Sequence, residues 1–186
     1  IMYDALEIKQ EPEIYYSNCN KWKDHTFNAF FKKYEIITKI LDDVKCGKNI
    51  AVACMSKTTA VVIAELINKK IPETKSLCIW SKVCKMNGED IENSDAVKDD
   101  IENVIQKNKI QVWIYSPSVK TGLSINTKDY FHKTYLLTKQ KKSCCAREAI
   151  QMIFRTRYLI DKQNYIIYEH DHKYVSNRNP GAFANF

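Results

Sequence analysis

Apolar positions along this chain switch between helical and strand spacing, and the switches mark out its elements. From Phe27 onward, Phe27, Phe30, Phe31, Tyr34, Ile37, Leu41 and Val44 recur at three- and four-residue steps, the spacing of one helix face. Gly47 stands where a helix C-cap glycine belongs. Residues 50–55 (IAVACM) form a short unbroken apolar run, the signature of a strand buried on both faces of a parallel sheet. Ser56 is a good N-cap for a helix expected over 58–68, with Ala60, Ile63, Ala64 and Ile67 on one face. Pro72 interrupts the chain before a second strand over 76–80, and residues 81–95 read as a polar loop. A helix over about 96–106 carries Val97, Ile101, Val104 and Ile105. Strands are expected over 110–115, 133–138 and 165–168, with a helix over 144–156. Strands alternating with helices predict an α/β fold, a doubly wound parallel sheet with helices on both faces.

Residues 1–26 lack a clear period and contain Pro12, so an arm is expected there, with a lead-in strand over 13–16. The globular lobe is expected over 27–175 and a tail or linker over 176–186. At 186 residues the chain is long enough for one domain with a sizeable core. No apolar run is long enough for a membrane span, and the first residues carry no signal-peptide pattern. Ile1 is no initiator, which suggests a fragment. The formal net charge of +7 suits a nucleic-acid partner, although a lysine-rich surface serves solubility equally well. Seven cysteines without a CxxC pair, two of them (Cys54 and Cys78) inside apolar runs, point to a reducing, intracellular setting. The cluster Glu169-His170-Asp171-His172 lacks a distant set of partners, so no metal site is expected.

Three segments occupy the positions after strands where open parallel sheets bind ligands. In the first, Ser56, Lys57 and Thr58 open a helix whose free amides, hydroxyls and ammonium suit a phosphate. Plain capping explains the same residues. The second is Ser116-Pro117-Ser118-Val119-Lys120-Thr121-Gly122-Leu123-Ser124-Ile125. In this glycine-poor chain, Gly122 between hydroxyl residues suits either close approach to a ligand or an ordinary turn. In the third, Arg147, Gln151 and Arg155 lie four apart on one polar stripe. Arg157 falls seven residues after Ile150 and would face the core of an unbroken helix. The cost of burying an unpaired guanidinium therefore implies that the helix ends near Thr156. A solvated basic face accounts for that stripe just as simply.

In this order, a strand-Ser-helix, a Thr-Gly-hydrophobic-Ser loop and Gln-x-x-x-Arg-x-Arg resemble motifs IV, V and VI of superfamily 2 helicases. Ser-Pro-Ser-Val-x-Thr-Gly-Leu-Ser-Ile and Gln-Met-Ile-Phe-Arg-Thr-Arg-Tyr-Leu are most similar to the herpesvirus-type replication origin-binding helicases and to related helicase-primase proteins of large DNA viruses. The likeness covers about residues 49–169. It departs at Phe154, where the family's pattern has glycine. It implies a second RecA-like lobe of an ATP-dependent helicase acting in viral DNA replication, with ATP and Mg2+ held mainly by a first lobe of the same polypeptide. By that resemblance Gln151, Arg155 and Arg157 are catalytic, Thr121, Gly122 and Ser124 touch the nucleotide, and Ser56, Lys57, Thr58 and Ser118 hold the nucleic-acid backbone. The expected partners are nucleic acid (DNA), the first lobe and a primase or other replication proteins, at a viral replication site and without a membrane. The chain itself lacks the Gly-x-x-x-x-Gly-Lys-Ser/Thr loop, so the lobe alone is expected to be inactive. One alternative is a non-catalytic nucleic-acid-binding module built on a degenerate helicase lobe. Another, a small-molecule α/β enzyme, lacks a nucleophile-base pair.

Overall fold

The computed structural model describes residues 24–30, 32–81, 83–117, 124–139 and 146–169. The strand expected over 13–16, the tail over 176–186 and the histidines at 170 and 172 lie outside the described residues. The elements run β1 (Thr26–Phe30), α1 (Lys33–Lys45), β2 (Ile50–Cys54), α2 (Lys57–Lys70), β3 (Ser76–Trp80), β4 (Val83–Met86), β5 (Glu89–Asp90), α3 (Ser94–Asp99), α4 (Ile101–Asn108), β6 (Val112–Tyr115), β7 (Phe131–Lys139), α5 (Ala146–Ile153) and β8 (Leu159–Glu169). They build one eight-stranded sheet in the order β1-β8-β7-β2-β6-β3-β4-β5. Every pairing from β1 across to β3 is parallel, and only β4 and β5 run antiparallel.

The apolar runs become the centre of the sheet. β2, β3 and β6 are buried along their whole length. Ile36, Ile40 and Val44 of α1 and Ala60, Ile63 and Ile67 of α2 cover one face. Val97 of α3, Ile101 and Ile105 of α4, and Ala149, Met152 and Ile153 of α5 cover the other. The expected α/β sheet with helices on both faces is therefore what forms.

Several boundaries differ from the sequence expectation. The helix does not begin at Phe27, because residues 26–30 form β1, paired from Thr26↔Gln163 to Phe30↔Ile167. Two aromatics three residues apart suit a helix turn or a short strand. Here the eleven-residue β8 supplies a long ladder, and tertiary pairing outweighs local period. α1 ends as expected at Gly47, which is left-handed at φ +76°. The amides of Gly47 and Lys48 donate back to the carbonyls of Val44 and Asp43, closing a Schellman motif.

The expected polar loop over 81–95 contains a hairpin. Asn87 and Gly88 both have positive φ (53° and 92°), as a two-residue turn between twisted antiparallel strands requires. Asn87 is further fixed because its side-chain oxygen accepts from the Ser76 amide at 2.8 Å. The expected single helix over 96–106 breaks at Asp100 (φ −126°, ψ 38°) into α3 and α4. α5 stops at Ile153, short of the expected Thr156. β8 runs from Leu159, well before the expected start at 165, through a bulge where Lys162 has φ +49°.

A buried polar network pins α1 to the sheet. Lys133 of β7 donates to both carboxylate oxygens of Asp43 at 3.1 Å, and the Tyr135 hydroxyl donates to the same carboxylate. Lys39 adds a further bond at 3.1 Å. At the start of β8, Asp161 pairs with Lys48 at 2.6 Å and lies 3.8 Å from Lys133. The stacked rings of Tyr135 and Tyr165, with centroids 5.0 Å apart, wall this network, and Lys133 lies 5.4 Å from the Tyr165 ring centre.

Candidate functional site

The first candidate segment follows β2. The Met55 amide donates to Leu137 of β7 at 3.0 Å, so the chain leaves the sheet at a fixed angle. Ser56 is extended (φ −140°, ψ 148°) and caps α2: its Oγ accepts from the Thr59 amide at 3.2 Å and lies 2.8 Å from the Thr59 hydroxyl. Its hydroxyl is thus used on its own helix, whereas Lys57 and Thr58 are exposed. The first turn of α2 carries no acidic residue, so the positive end of its dipole is not offset from within the helix.

The second segment leaves β6. Ser116 is buried, with its amide donating to Ile79 at 3.1 Å. Ser118, Thr121 and Gly122 lie outside the described residues. Ser124 is half-buried, its Oγ 3.5 Å from the Asn126 side-chain amide. Residues 126–127 are fastened to α4. The Glu102 carboxylate accepts from the Asn126 amide at 3.1 Å and from the Thr127 hydroxyl at 2.5 Å, and Gln106 donates to Thr127 at 2.6 Å.

The third segment, at the end of α5, meets the second. The Ile125 amide donates to the Arg155 carbonyl at 2.6 Å, and the Arg157 amide donates to the Ile125 carbonyl at 3.1 Å. This is an isolated parallel bridge between Ile125 and Thr156. Beneath it the buried Thr156 hydroxyl lies 2.7 Å from that of Thr134 in β7 and 3.3 Å from the Ile153 carbonyl. The arginines part company across this bridge. Arg157 is exposed, while Arg155 is half-buried, its guanidinium 5.8 Å from the ring centre of Tyr115, the last residue of β6. Burial pushes the Tyr115 hydroxyl well above the usual tyrosine range, against a smaller downward pull from Arg155. Gln151 is exposed on α5, and of Arg147 only the backbone is described.

Phe154, the departure from the glycine pattern, turns away to meet Phe27 of β1 edge-on at 6.2 Å. It packs against the α5-side core and leaves the Arg155–Tyr115 contact intact. α5 ends at Ile153, but not for the reason expected: Ile150, seven residues before Arg157, is 47% exposed and does not face the core, so a continued helix would not have carried Arg157 inward with it.

The structure therefore joins residues 124–127, 155–157 and Tyr115 into one unit on the α5 face. Ser56, Lys57 and Thr58 lie beyond β2, at the head of α2, which packs on the opposite face. Sequence reasoning missed Tyr115, Thr134 and Glu102. Lys133 and Thr134 within the expected strand over 133–138 were the available signal, since polar residues in a buried strand need partners. Among the described residues, no group of three or more His, Cys, Asp or Glu is arranged to hold a metal ion. No described helix is long and apolar enough to cross a membrane. Cys54, Cys78 and Cys84 are buried free thiols, and burial pushes Cys78 up to about 12.

Two relatives come from Acanthamoeba polyphaga mimivirus. An uncharacterized protein named as a helicase is 30% identical over 168 residues, 89% of this chain and 15% of its own length. A protein named as replication origin-binding is 31% identical over 122 residues, 64% of this chain and 14% of its own length. The chain thus spans about one seventh of these relatives. Among solved structures, the N-terminal domain of the DNA-packaging ATPase of bacteriophage phi29 is 14% identical with a TM-score of 0.40, covering 84% of this chain and 77% of that one. A likeness so distant carries no argument about this chain. No protein-family model matches the chain.

Proposed function

We propose that this chain is the second motor lobe of an ATP-dependent superfamily 2 helicase acting in viral DNA replication, and that Arg157 is the residue it extends toward a nucleotide held by a first lobe. The observation that carries the reading is the Ile125–Thr156 bridge. It fixes the loop after β6 to the arginine-bearing turn, so one unit carries both the Ser124 segment and Arg157. The names of the two mimivirus relatives support the same class of protein.

In this reading the donor set fits a nucleotide only in part, as a half-site should. Arg157 and Gln151 are exposed polar groups, while the phosphate-binding loop and the Mg2+ ligands belong to the other lobe. ATP supplies the phosphoryl transfer. This chain's contribution is a guanidinium on the charge that develops there, an effect worth about 10³–10⁵ in rate where it has been measured. Lys57 and Thr58, beside the uncompensated helix end, hold nucleic-acid phosphates without reading sequence. Ser124, with Thr121 and Gly122, completes the nucleotide contacts.

The test uses the longer polypeptide. Arg157→Ala should lower ATP turnover by at least about 10³ while melting normally. Arg157→Lys should not restore it, because an ammonium lacks the planar fork that bridges phosphate oxygens. Full turnover by Arg157→Ala, or nucleic-acid-stimulated turnover by the 186-residue chain alone, would refute the half-site.

A further inference from the structure

We propose that Tyr115 is the positioning residue for Arg155, holding both its guanidinium and the turn that bears it. The inference deepens the motor-lobe reading and rests on it, since the purpose of a fixed arginine there is the nucleotide. Tyr115 acts on Arg155 in two ways, one direct and one through Met152. Its ring carries the guanidinium, 5.8 Å from centre to carbon, inside the range of cation–π attraction. Its hydroxyl donates to the Met152 carbonyl at 2.6 Å, and that same carbonyl accepts the Arg155 amide at 3.2 Å. Met152 lies in the last turn of α5, where carbonyls lose their helical partners, so the tyrosine closes the helix end from which Arg155 springs.

The seat is itself rigid. Tyr115 is fully buried and stacks on Trp113 at 4.1 Å with planes 22° apart, and Trp113 is also fully buried. A free arginine loses side-chain rotamer entropy when it is fixed in place. An aromatic platform takes that loss during folding, before any ligand arrives. Phenylalanine would keep the platform and lose the link to Met152, and leucine would lose both. The arrangement also divides the labour between the two arginines: Arg155 is held from below by β6, while Arg157 is tied through its backbone to Ile125 and keeps its side chain exposed.

Two measurements test this. In the longer polypeptide, Tyr115→Leu should lower kcat for ATP about tenfold, the size of a lost cation–π platform, and Tyr115→Phe should fall between it and wild type. KM for ATP should stay within about twofold. In the Arg155→Ala background, Tyr115→Leu should cost nothing further. In the 186-residue chain, the side-chain Nε–Hε resonance of Arg155 should be shifted upfield by the ring, and Tyr115→Leu should abolish that shift. Additive losses in the double variant, or an unshifted Arg155 resonance in the folded wild type, would overturn the assignment. If Arg155→Ala keeps full turnover, the catalytic use of Arg155 fails, and the resonance alone decides whether the seat exists. Should Tyr115→Leu unfold, Tyr115→Phe tests the Met152 link instead: it should lower kcat in wild type, cost nothing further in the Arg155→Ala background and keep the Arg155 ring shift, and additive losses would overturn the assignment.

Discussion

The Asp43 cluster gives the most exacting test of how this lobe is held together. Asp43 and Lys133 are 3% and 4% exposed, so replacing Asp43 by alanine leaves the buried ammonium only the longer, 3.8 Å contact to Asp161 and removes the acceptor of the Tyr135 hydroxyl. Breaking a buried pair from one side costs about 3–5 kcal/mol. For a chain of this length each kcal/mol is worth about 2–4 °C, so Asp43→Ala should melt roughly 6–20 °C lower by calorimetry or circular dichroism. Lys133→Met should cost less, because Lys39 and Tyr135 still serve the carboxylate. Asp43→Leu combined with Lys133→Met should recover part of the loss, since two apolar side chains leave no stranded charge.

The acid limb follows from the same contacts. Burial would raise the Asp43 carboxyl, but bonds from Tyr135, Lys133 and Lys39 outweigh it and hold the group below its ordinary value. A carboxyl depressed in the folded state adds stability above its unfolded value of about 3.9, and loses it as pH falls through the lower folded value. The gap between wild type and Asp43→Asn should therefore be constant near neutrality and shrink below about pH 4. A loss under about 1 kcal/mol in Asp43→Ala, or a gap that does not depend on pH, would refute the account.

Other outcomes follow from single positions. On the proposed motor-lobe reading, which gives Lys57 one phosphate contact, Lys57→Ala should weaken binding of single-stranded DNA alike across sequences and flatten the dependence of log affinity on log salt, read by fluorescence anisotropy. Gly47→Ala should cost about 1–2 kcal/mol in a denaturant melt. A Cβ there meets nothing within 4 Å, so the cost is the left-handed backbone alone.

The centre of this fold was legible because its signals are strong and local. Unbroken apolar runs announced β2 and β6, Ser56 announced the start of α2, and Gly47 announced the end of α1. The outer elements were not, for reasons that are physical. β1 exists because β8 offers it a ladder, and nothing within residues 26–30 records that offer. The hairpin was within reach, since Asn87-Gly88 is a strong two-residue turn signal, but its flanking strands are short and polar enough to pass for a loop. Of the candidate site, the spacing of Arg155 and Arg157 was legible, whereas the expected early end of their helix rested on a core-facing Ile150 that is in fact exposed. The opposite environments of the two arginines were not legible, because Tyr115 and Ile125 come from another stretch of chain. Residue types showed which groups carry charge, and only the fold shows which of them is held and which is exposed.

The Asp43–Lys133 cluster occupies the amino ends of β7 and β8 beside the entry to β2, while the segments that follow β2 and β6 emerge from the opposite ends of the strands. Foundations and working rim are thus separate territories. Changes to the segment after β6 or to the head of α2 leave the residues that fasten α1 untouched, and for that reason should be cheap for the fold. Substitutions on the rim can thus alter its surface without disturbing the footing. Between the two lies the Ile125–Thr156 bridge, where a change on the rim must remain compatible with the frame beneath it.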